Sequence, residues 1–278
     1  MMTLNCKGTL IDLTKPRVMG ILNLTPDSFY DGGRYKEEKS ILSQTEKMLV
    51  EGATFIDVGA YSSRPGAKDI PVKEEINRIV PVVKLLIQKF PEILISTDTF
   101  RSEVARQCLQ EGAALVNDIS AGKLDPHMME TVAVARVPYI MMHMQGTPQT
   151  MKEKNTYKDL LEDIRFYFSE RIATARKLGI HDLVIDPGFG FAKNISQNFE
   201  LLGKFSLLKT FGVPVLAGLS RKSMIYKVLG VSPDEALNGT TALNMMALQG
   251  GANVLRVHDV KEAMECIGLY NQLNPQSS

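Results

Sequence analysis

The chain has 278 residues and a formal net charge of +1, and 44% of its residues are hydrophobic while 23% are charged. This composition is too apolar for a disordered chain and supplies enough material for one large core. Because the net charge is close to zero, the chain has no overall basic field for nucleic acid, and any anion must be bound by a local group of cations.

Eight short apolar runs, separated by helical stretches, predict a parallel barrel. Each run ends on a polar or charged side chain, which an apolar core alone would not require. The residues at these ends are Asn23, Asp57, Asp98, Asn117, His143, Asp186, Lys222 and Arg256. Because the carboxyl ends of barrel strands meet at one rim, we expect these side chains to lie together there. We therefore predict an α/β fold, a (β/α)8 TIM barrel, as a single domain over residues 1–278.

Glycines precede several of these strands in a regular way. Gly52, Gly112 and Gly251 each close a helical stretch, and the fifth residue after each of them is polar. A glycine supplies the left-handed turn that ends a helix. A strand of fixed length then delivers the polar side chain to the same rim.

Apolar residues at helical spacing predict amphipathic helices between the strands, for example over residues 41–49 and 161–175. A Ser-Pro-Asp-Glu cap predicts a further helix over 232–249. Two long loops rich in Gly, Pro and Ser, residues 25–35 and 59–72, follow the first and second strands. Loops of that size at one rim are expected to be mobile covers over a site.

Carboxylate and amide groups dominate the predicted rim. Asp57, Asp98, Asn117 and Asp186 would form a cup of hydrogen-bond acceptors. Such a cup suits a ligand with several N–H donors, for example an aminopyrimidine ring, from which one carboxylate can accept two bonds. Asp186 taken alone could simply cap the turn that Pro187 and the following glycine make. The other three acceptors favour a ligand site.

Cationic side chains follow the seventh and eighth strands, the usual phosphate corner of a barrel. Lys222 lies in the run Ser220 to Ser223, and Arg256 and His258 are spaced so that both lie on one strand face. Either cation alone could be a surface charge. Together on these strands they favour phosphate recognition, with Ser63 and Arg64 added from the second loop.

Asn23 opens the first long loop. One amide oxygen can hold Mg²⁺ when a diphosphate supplies the other charges, because this ion keeps several waters. An Asx-turn before Pro26 explains the residue equally well. The run Met141 to Met144, which contains His143, is more typical of core and pocket wall than of a metal site.

Eight fragments, in order along almost the whole chain, resemble the dihydropteroate synthases of the bacterial folate pathway. The fragments are MGILNLTPDSFYDGG (Met19 to Gly33), IDVGAYSSRPGA (Ile56 to Ala67), STDTF (Ser96 to Phe100), NDIS (Asn117 to Ser120), MHMQGTP (Met142 to Pro148), DPGFGFAKN (Asp186 to Asn194), LSRKSM (Leu219 to Met224) and RVHDV (Arg256 to Val260). The resemblance implies a transferase that joins 6-hydroxymethyl-7,8-dihydropterin diphosphate to p-aminobenzoate and releases pyrophosphate.

Matched position by position, the resemblance also implies a role for each site residue. Catalysis would rest on Asp98, Asp186, Lys222 and Arg256. The pterin ring would be held by Asp57, Asp98, Asn117, Met142, Asp186, Phe189 and Lys222. The diphosphate would contact Ser63, Arg256 and His258, with Asn23 on Mg²⁺. The p-aminobenzoate, with which sulfonamides compete in this family, would lie near Phe29, Arg64, Pro65 and Ser220. Barrels of this family commonly pair, so a homodimer is expected.

Two places depart from the pattern that we attribute to the family. Tyr61 lies in Ala60-Tyr61-Ser62-Ser63, where the family generally has Gly-Glu-Ser-Thr, so it replaces a carboxylate. Phe100 and Arg101 replace a smaller polar residue followed by lysine or a similar group. Neither departure touches the residues expected to bind the ring.

Two other functions are compatible with parts of the pattern. A Schiff-base aldolase could use Lys222, although that lysine is expected in a rim loop and not inside an apolar pocket that would lower its pKa. A pterin-binding barrel without this turnover, such as a methyltransferase domain, would share the cup. The first loop favours a condensing enzyme.

Three widely spaced cysteines, no membrane-length apolar run and no signal-like start predict a cytoplasmic protein with reduced thiols.

Overall fold

A computed structural model describes residues 2–24, 34–61, 69–151 and 154–274. In this part of the chain, eight parallel strands lie between helices and form a nearly closed barrel, which confirms the predicted fold. The barrel strands are β3 (Arg17–Asn23), β4 (Phe55–Gly59), β5 (Ile95–Asp98), β6 (Leu115–Asp118), β7 (Tyr139–Met142), β8 (Leu183–Asp186), β9 (Leu216–Ala217) and β10 (Val254–Val257).

The order of strands in the sheet is β8-β7-β6-β5-β4-β3-β10-β9. A single parallel bridge between Ile185 and Val215 joins the two ends of this sheet. The seventh predicted run, residues 213–221, forms only a two-residue strand, Leu216–Ala217. The barrel is therefore completed mainly by packing at this seam.

Helices alternate with the strands and cover the barrel. They are α1 (Arg34–Val50), α2 (Val72–Lys89), α3 (Ser102–Gln110), α4 (Met128–Ala135), α5 (Leu160–Lys177), α6 (Ile195–Gly203), α7 (Ser223–Leu229), α8 (Leu237–Gln249) and α9 (Val260–Leu273). The helix predicted over 232–249 begins as a separate 3-10 turn, Pro233–Glu235, capped by Ser232. None of the helices in the described ranges is long and apolar enough to cross a membrane.

An antiparallel hairpin, β1 (Thr3–Cys6) with β2 (Thr9–Asp12), precedes the barrel and was not predicted. Leu4, Cys6 and Leu13 are buried against residues at the amino ends of the barrel strands, such as Phe55. Asn253 donates to the carbonyl of Leu13 at 2.9 Å. The hairpin therefore closes the end of the barrel opposite the polar rim, so a ligand has access from the rim side.

The predicted glycine turns have the expected backbone. Gly52 and Gly112 have φ of +104°, and Gly251 has φ of +97°. Residues with a side chain rarely adopt this left-handed conformation. Each turn leads directly into a buried strand, so the glycines set where the next polar side chain reaches the rim.

Candidate active site

Strand register brings the acceptor residues together at the carboxyl ends of the strands. Gly59 pairs with Asp98, and Asp98 pairs with Asn117. A Cβ at Gly59 would lie 3.3 Å from Asp98 Oδ2, so the glycine leaves room for this carboxylate. On the neighbouring strands Met142 pairs with Asp186. The cup predicted from the strand ends is thus present in the fold.

The floor of the cup is one hydrogen-bonded network. Asp57, whose side chain has no exposed surface, accepts from Asn117 Nδ2 at 3.1 Å. The same oxygen accepts from Arg256 Nε at 2.6 Å, and Arg256 Nη2 donates to Asp98 at 2.7 Å. The network therefore links four strands, β4, β5, β6 and β10.

The sequence pattern places Arg256 with the cations expected to bind phosphate, apart from the acidic residues. In the structure it lies among the acidic residues. Its guanidinium lies between Asp57 and Asp98, inside the cup. Although burial alone would favour loss of its charge, these two carboxylates raise the pKa of Arg256. Burial raises the pKa of Asp98, and the nearby charge of Asp57 adds to that effect. One cation thus compensates two carboxylates that would otherwise repel each other.

Asp186 both caps a turn and faces the cup. Its Oδ1 accepts from Gly188 N at 2.8 Å, as the turn interpretation requires. Gly188 has φ of +71°, and a Cβ there would overlap the carbonyl oxygen of His143, so only glycine fits. Burial raises the pKa of Asp186, while the charge of Lys222 opposes that rise. Asp186 can therefore cap the turn and also be an acceptor in the cup.

Lys222 is held at the start of α7, next to Asp186. Its Nζ donates to the backbone carbonyl of Phe189 and lies 4.9 Å from the centroid of the Phe191 ring. Burial lowers the pKa of Lys222 to about 8, although the charge of Asp186 favours the protonated form. Lys222 lies in a rim loop, as expected from the sequence, but the expectation that its surroundings would not lower its pKa is wrong, because burial lowers it.

Lys193 is a second buried lysine that the sequence interpretation did not single out. Its Nζ donates to the carbonyls of Gly188 and Phe191, at 3.0 and 3.1 Å, and lies 3.1 Å from His143 Nδ1. Burial lowers the pKa of Lys193 to about 7. This lysine fixes the chain that follows Asp186. Its position in the run Asp186 to Asn194 was the available signal.

The residues after β9 and β10, which were predicted to contact phosphate, are joined to each other by hydrogen bonds. Ser220 Oγ lies 2.9 Å from His258 Nδ1 and accepts from His258 N at 3.2 Å. Arg221 has φ of +54° and makes a two-pronged ion pair with Asp259, at 2.6 and 3.1 Å. This pair turns Arg221 away from the cup and leaves Ser220 and Lys222 on the cup side. Arg221 is thus a structural residue that the sequence interpretation left without a role.

Two other residues considered in the sequence analysis, Phe189 and His143, have buried side chains, and four predicted site residues are not described by the structure. Phe189 was expected at the pterin, but its ring is fully buried and stacked on Phe205 at 6.0 Å, so contact with a ligand falls to its backbone. His143 is also buried, as expected for the Met141–Met144 wall, and burial lowers its pKa well below the usual value. Four predicted residues lie outside the described residues: Phe29, Ser63, Arg64 and Pro65.

Asn23 is exposed at the end of β3, on the rim. Within the described ranges, no group of three or more His, Cys, Asp or Glu side chains could hold a metal ion. An exposed amide oxygen suits a hard cation such as Mg²⁺ that takes most of its ligands from water and from a bound anion.

The arrangement can bind a ligand with two chemically different ends. Buried carboxylate and amide oxygens accept from N–H groups, while Lys222, Arg256 and His258 present positive charge or N–H donors on the adjacent strands. A neutral heterocycle with an anionic substituent has this pattern.

A family model, curated proteins and solved structures all match this chain over most of its length. Residues 19–258 match the model of the family described as pterin binding enzyme. The chain is 44% identical to the dihydropteroate synthase of Escherichia coli K12 over 268 residues, which is 96% of this chain and 94% of that protein. It superimposes on the Yersinia pestis dihydropteroate synthase, solved with a sulfonamide drug, with a TM-score of 0.91 and 41% identity over 98% of this chain and 99% of that one.

A second solved structure has a different ligand. The Xanthomonas albilineans dihydropteroate synthase with 4-aminobenzoic acid superimposes with a TM-score of 0.90 and 38% identity, over 99% of both chains. These relatives match nearly the full length of the chain and not only its barrel scaffold.

Proposed function

The chain belongs to the pterin-binding enzymes and, within them, to the dihydropteroate synthases, and on that premise we propose how its own residues carry the reaction. The enzyme is a transferase of folate biosynthesis that condenses 6-hydroxymethyl-7,8-dihydropterin diphosphate with p-aminobenzoate. The products are 7,8-dihydropteroate and pyrophosphate. The family assignment favours this reaction over the methyltransferase-type and aldolase alternatives.

The pterin ring binds in the acceptor cup. The observation that carries this proposal is the buried network of Asp57, Asn117, Asp98 and Arg256, next to Asp186. Buried acceptors are costly unless they are paired, so a ring edge with several N–H groups stabilises them. Met142 and the backbone of Phe189 line the same region.

The diphosphate lies toward Lys222, Arg256 and His258. A guanidinium has about five N–H donors, and the bonds to Asp57 and Asp98 use two N–H groups of Arg256. We assign the others to the diphosphate, together with Ser63 from the second loop. Arg256 then contacts both ends of the ligand.

Bond cleavage is assisted by opposite charges at opposite ends of the substrate. The carboxylates of Asp98 and Asp186 favour the positive charge that develops on the pterin methylene as the C–O bond breaks. Lys222, Arg256 and His258 stabilise the departing pyrophosphate. The amino group of p-aminobenzoate attacks the methylene as a neutral nucleophile and loses its proton after the C–N bond has formed.

We propose Mg²⁺ as the cofactor, with Asn23 as its ligand from the protein. When bound, the ion would neutralise charge on the leaving group. The exposed amide of Asn23 at the rim supports this assignment because Mg²⁺ can take its other ligands from water and the diphosphate.

The p-aminobenzoate site is assigned to Ser220, Phe29, Arg64 and Pro65. Ser220 Oγ is already oriented by His258. Sulfonamides would compete with p-aminobenzoate at this position. The Yersinia pestis relative was solved with a sulfonamide drug, which supports sulfonamides as ligands of this enzyme family.

We further propose that the protein is a cytoplasmic homodimer and that residues 1–278 form one domain. Large apolar side chains are exposed on three consecutive helices, for example Leu229 on α7, Met246 on α8 and Leu269 on α9. These helices are neighbours, and apolar side chains exposed on neighbouring helices support a protein interface there when they form one patch. Sedimentation velocity of the purified protein tests the dimer.

Pyrophosphate release tests the reaction. With pterin diphosphate and Mg²⁺ present, we expect release that depends on p-aminobenzoate. Calorimetry tests the assigned roles: Asp186→Ala should lose pterin binding, whereas Arg256→Ala should lose more affinity for the pterin diphosphate than for the pterin. Equal losses for both ligands in Arg256→Ala would refute the role of Arg256 at the diphosphate.

A further inference from the structure

The turn after β8, Gly188 to Phe191, is bound by two lysines. Lys193 Nζ donates to the carbonyls of Gly188 and Phe191, at 3.0 and 3.1 Å. Lys222 Nζ donates to the carbonyl of Phe189, which lies between those two residues in the chain. Three carbonyls of one short turn are thus bound by two lysine side chains.

The side chain of Lys222 also packs against this turn. Its Nζ lies 4.9 Å from the centroid of the Phe191 ring. Gly190 has φ of +79°, and a Cβ there would lie 3.3 Å from Lys222 Cδ, so the glycine lets the turn approach the lysine closely. Phe191 therefore contacts both lysines, Lys222 through its ring and Lys193 through its carbonyl.

Lys193 and the turn are held by the same buried surroundings. The Lys193 side chain is buried, and its Nζ lies 3.1 Å from Nδ1 of His143, which is only 2% exposed. Asn198 on α6 is also buried; it accepts from Gly190 N at 2.7 Å and donates to the Lys193 carbonyl at 3.2 Å. Neither His143 nor Asn198 belongs to the acceptor cup. The position of the turn is thus set from outside the cup.

The contacts of Lys193 can persist in either of its protonation states. Burial lowers the pKa of Lys193 to about 7, and the charge of Lys222 adds to that effect. A neutral amine still has two N–H groups for the two carbonyls, and its lone pair can accept from a protonated Nδ1 of His143. Both forms of Lys193 can therefore hold the turn.

We propose that Lys193 is a positioning residue for the reaction: by holding the carbonyls on both sides of Phe189, it fixes the groups that orient Lys222 toward the diphosphate. This inference rests on the proposed role of Lys222. The same turn supplies Gly188 N, which donates to Asp186 at 2.8 Å. A smaller effect on binding of the pterin itself is therefore expected.

The main test variant is Lys193→Met, which keeps an apolar stem and removes the donor. Two carbonyls of the turn then lose a hydrogen bond, so we expect the calorimetric Kd for the pterin diphosphate to rise about tenfold. The Kd for the pterin without its diphosphate should rise by no more than about threefold. Lys204→Met removes an exposed lysine that bonds only to Glu200 among the described residues, and it should change neither Kd. Lys193→Gln keeps an N–H donor and carries the same tests if Lys193→Met does not fold.

A variant that is destabilised elsewhere separates positioning from general stability. Asn253 accepts from Val215 N and donates to the carbonyl of Leu13, both at 2.9 Å, at the end of the barrel opposite the rim. Asn253→Ala should lower the Tm and leave both Kd values within about twofold of those of the unaltered protein.

A double-mutant cycle tests whether Lys193 acts through Lys222. Lys222→Met should itself weaken binding of the pterin diphosphate. When Lys222 is already replaced, Lys193→Met should weaken binding by less than about twofold further, because the group that it positions is gone. An equal loss in both backgrounds would overturn the proposal, as would an unchanged Kd in Lys193→Met.

NMR provides a readout that does not require substrate. Titration of the lysine Cε signals, assigned with Lys222→Met, gives the pKa of Lys222 in the unliganded protein. Loss of the turn contacts exposes this lysine to water, so its pKa should be higher in Lys193→Met than in Lys204→Met. The missing charge of Lys193 does not explain such a rise, because Lys193, with a pKa of about 7, is already mostly neutral where Lys222 titrates, near pH 8.

The NMR result also separates failure of this proposal from failure of the proposed function. If Lys222→Met bound the pterin diphosphate normally, the proposed role of Lys222 would be wrong. A raised pKa of Lys222 in Lys193→Met would then still show that Lys193 positions Lys222, whereas an unchanged pKa would overturn the positioning as well.

Discussion

Arg256 Nε lies 2.6 Å from Asp57 Oδ2, a carboxylate oxygen that also accepts from Asn117 at 3.1 Å. The other oxygen of Asp57 is buried without a hydrogen-bond partner among the described residues. An unpartnered acceptor at the floor of a ligand cup is unfavourable by itself and favourable once a donor reaches it. Arg256, by contrast, compensates the charges of Asp57 and Asp98 within the protein itself.

Removal of this arginine should destabilise the protein before any ligand is present. Arg256→Ala leaves Asp57 and Asp98 without their shared cation, so we expect the free energy of unfolding to fall by about 3 kcal/mol. Urea unfolding of the unliganded protein measures this change. Arg106→Ala, on the surface of α3, should change it by less than about 0.5 kcal/mol. Equal effects of the two substitutions would show that the Arg256 ion pairs contribute no net stability.

Two glycines with similar backbone angles should respond differently to alanine. Gly188 and Gly230 have φ of +71° and +69°. A Cβ at Gly188 would overlap the carbonyl oxygen of His143, whereas at Gly230 it would meet nothing within 4 Å. We expect Gly230→Ala to cost about 1 kcal/mol for the backbone alone and Gly188→Ala to cost clearly more and to weaken pterin binding. Thermal unfolding and pterin calorimetry of both variants check this; similar losses of stability would contradict the overlap.

The strand ends were predictable because local signals agree there. Glycine turns, short apolar runs and terminal polar residues repeat in order, and parallel strands bring such ends to one rim. The positions of Asp98, Asn117 and Asp186 follow from this pattern alone. The amino-terminal hairpin was missed because Thr3–Asp12 carries a short, mixed pattern whose strands gain stability only by covering the bottom of the barrel.

Pairings between distant residues were not predictable in the same way. Arg256 and Asp57 are 199 positions apart. No local sequence pattern predicts that the arginine side chain lies among the acidic residues. Lys193 is a charged residue, and lysines are rarely buried, so the sequence alone would place it at the surface. It is buried because three acceptors from the loop after Asp186 and from His143 surround its ammonium group, a condition that only the folded chain creates.

Lys193 should make stability depend on pH. In the unfolded chain its pKa is near the ordinary 10.5, whereas burial lowers it to about 7 in the fold. Between these pH values the unfolded state binds more protons, so the contribution of Lys193 to stability rises with pH. Lys193→Met removes that contribution. We therefore expect the unfolding free energy of the unaltered protein, minus that of Lys193→Met, to increase from pH 7 to pH 10 in urea titrations. A constant difference would contradict the lowered pKa.

Lys222 should limit catalysis at alkaline pH. Burial lowers its pKa to about 8, so the free enzyme loses this positive charge as the pH rises through that value. In its proposed role at the diphosphate, Lys222 binds the substrate through this charge, so kcat/KM for the pterin diphosphate should fall on the alkaline side with an apparent pKa near that of Lys222. Steady-state rates at saturating p-aminobenzoate, measured from pH 6 to about 10, give the profile.

Lys222→Arg provides the matched comparison, because a guanidinium stays protonated throughout this pH range. Its guanidinium is larger than the compact ammonium that donates to the Phe189 carbonyl, so we expect a lower kcat/KM at every pH. The alkaline fall should nevertheless disappear or move to higher pH. If the fall persists unchanged in Lys222→Arg, another group titrates there, and the charge of Lys222 does not control diphosphate binding.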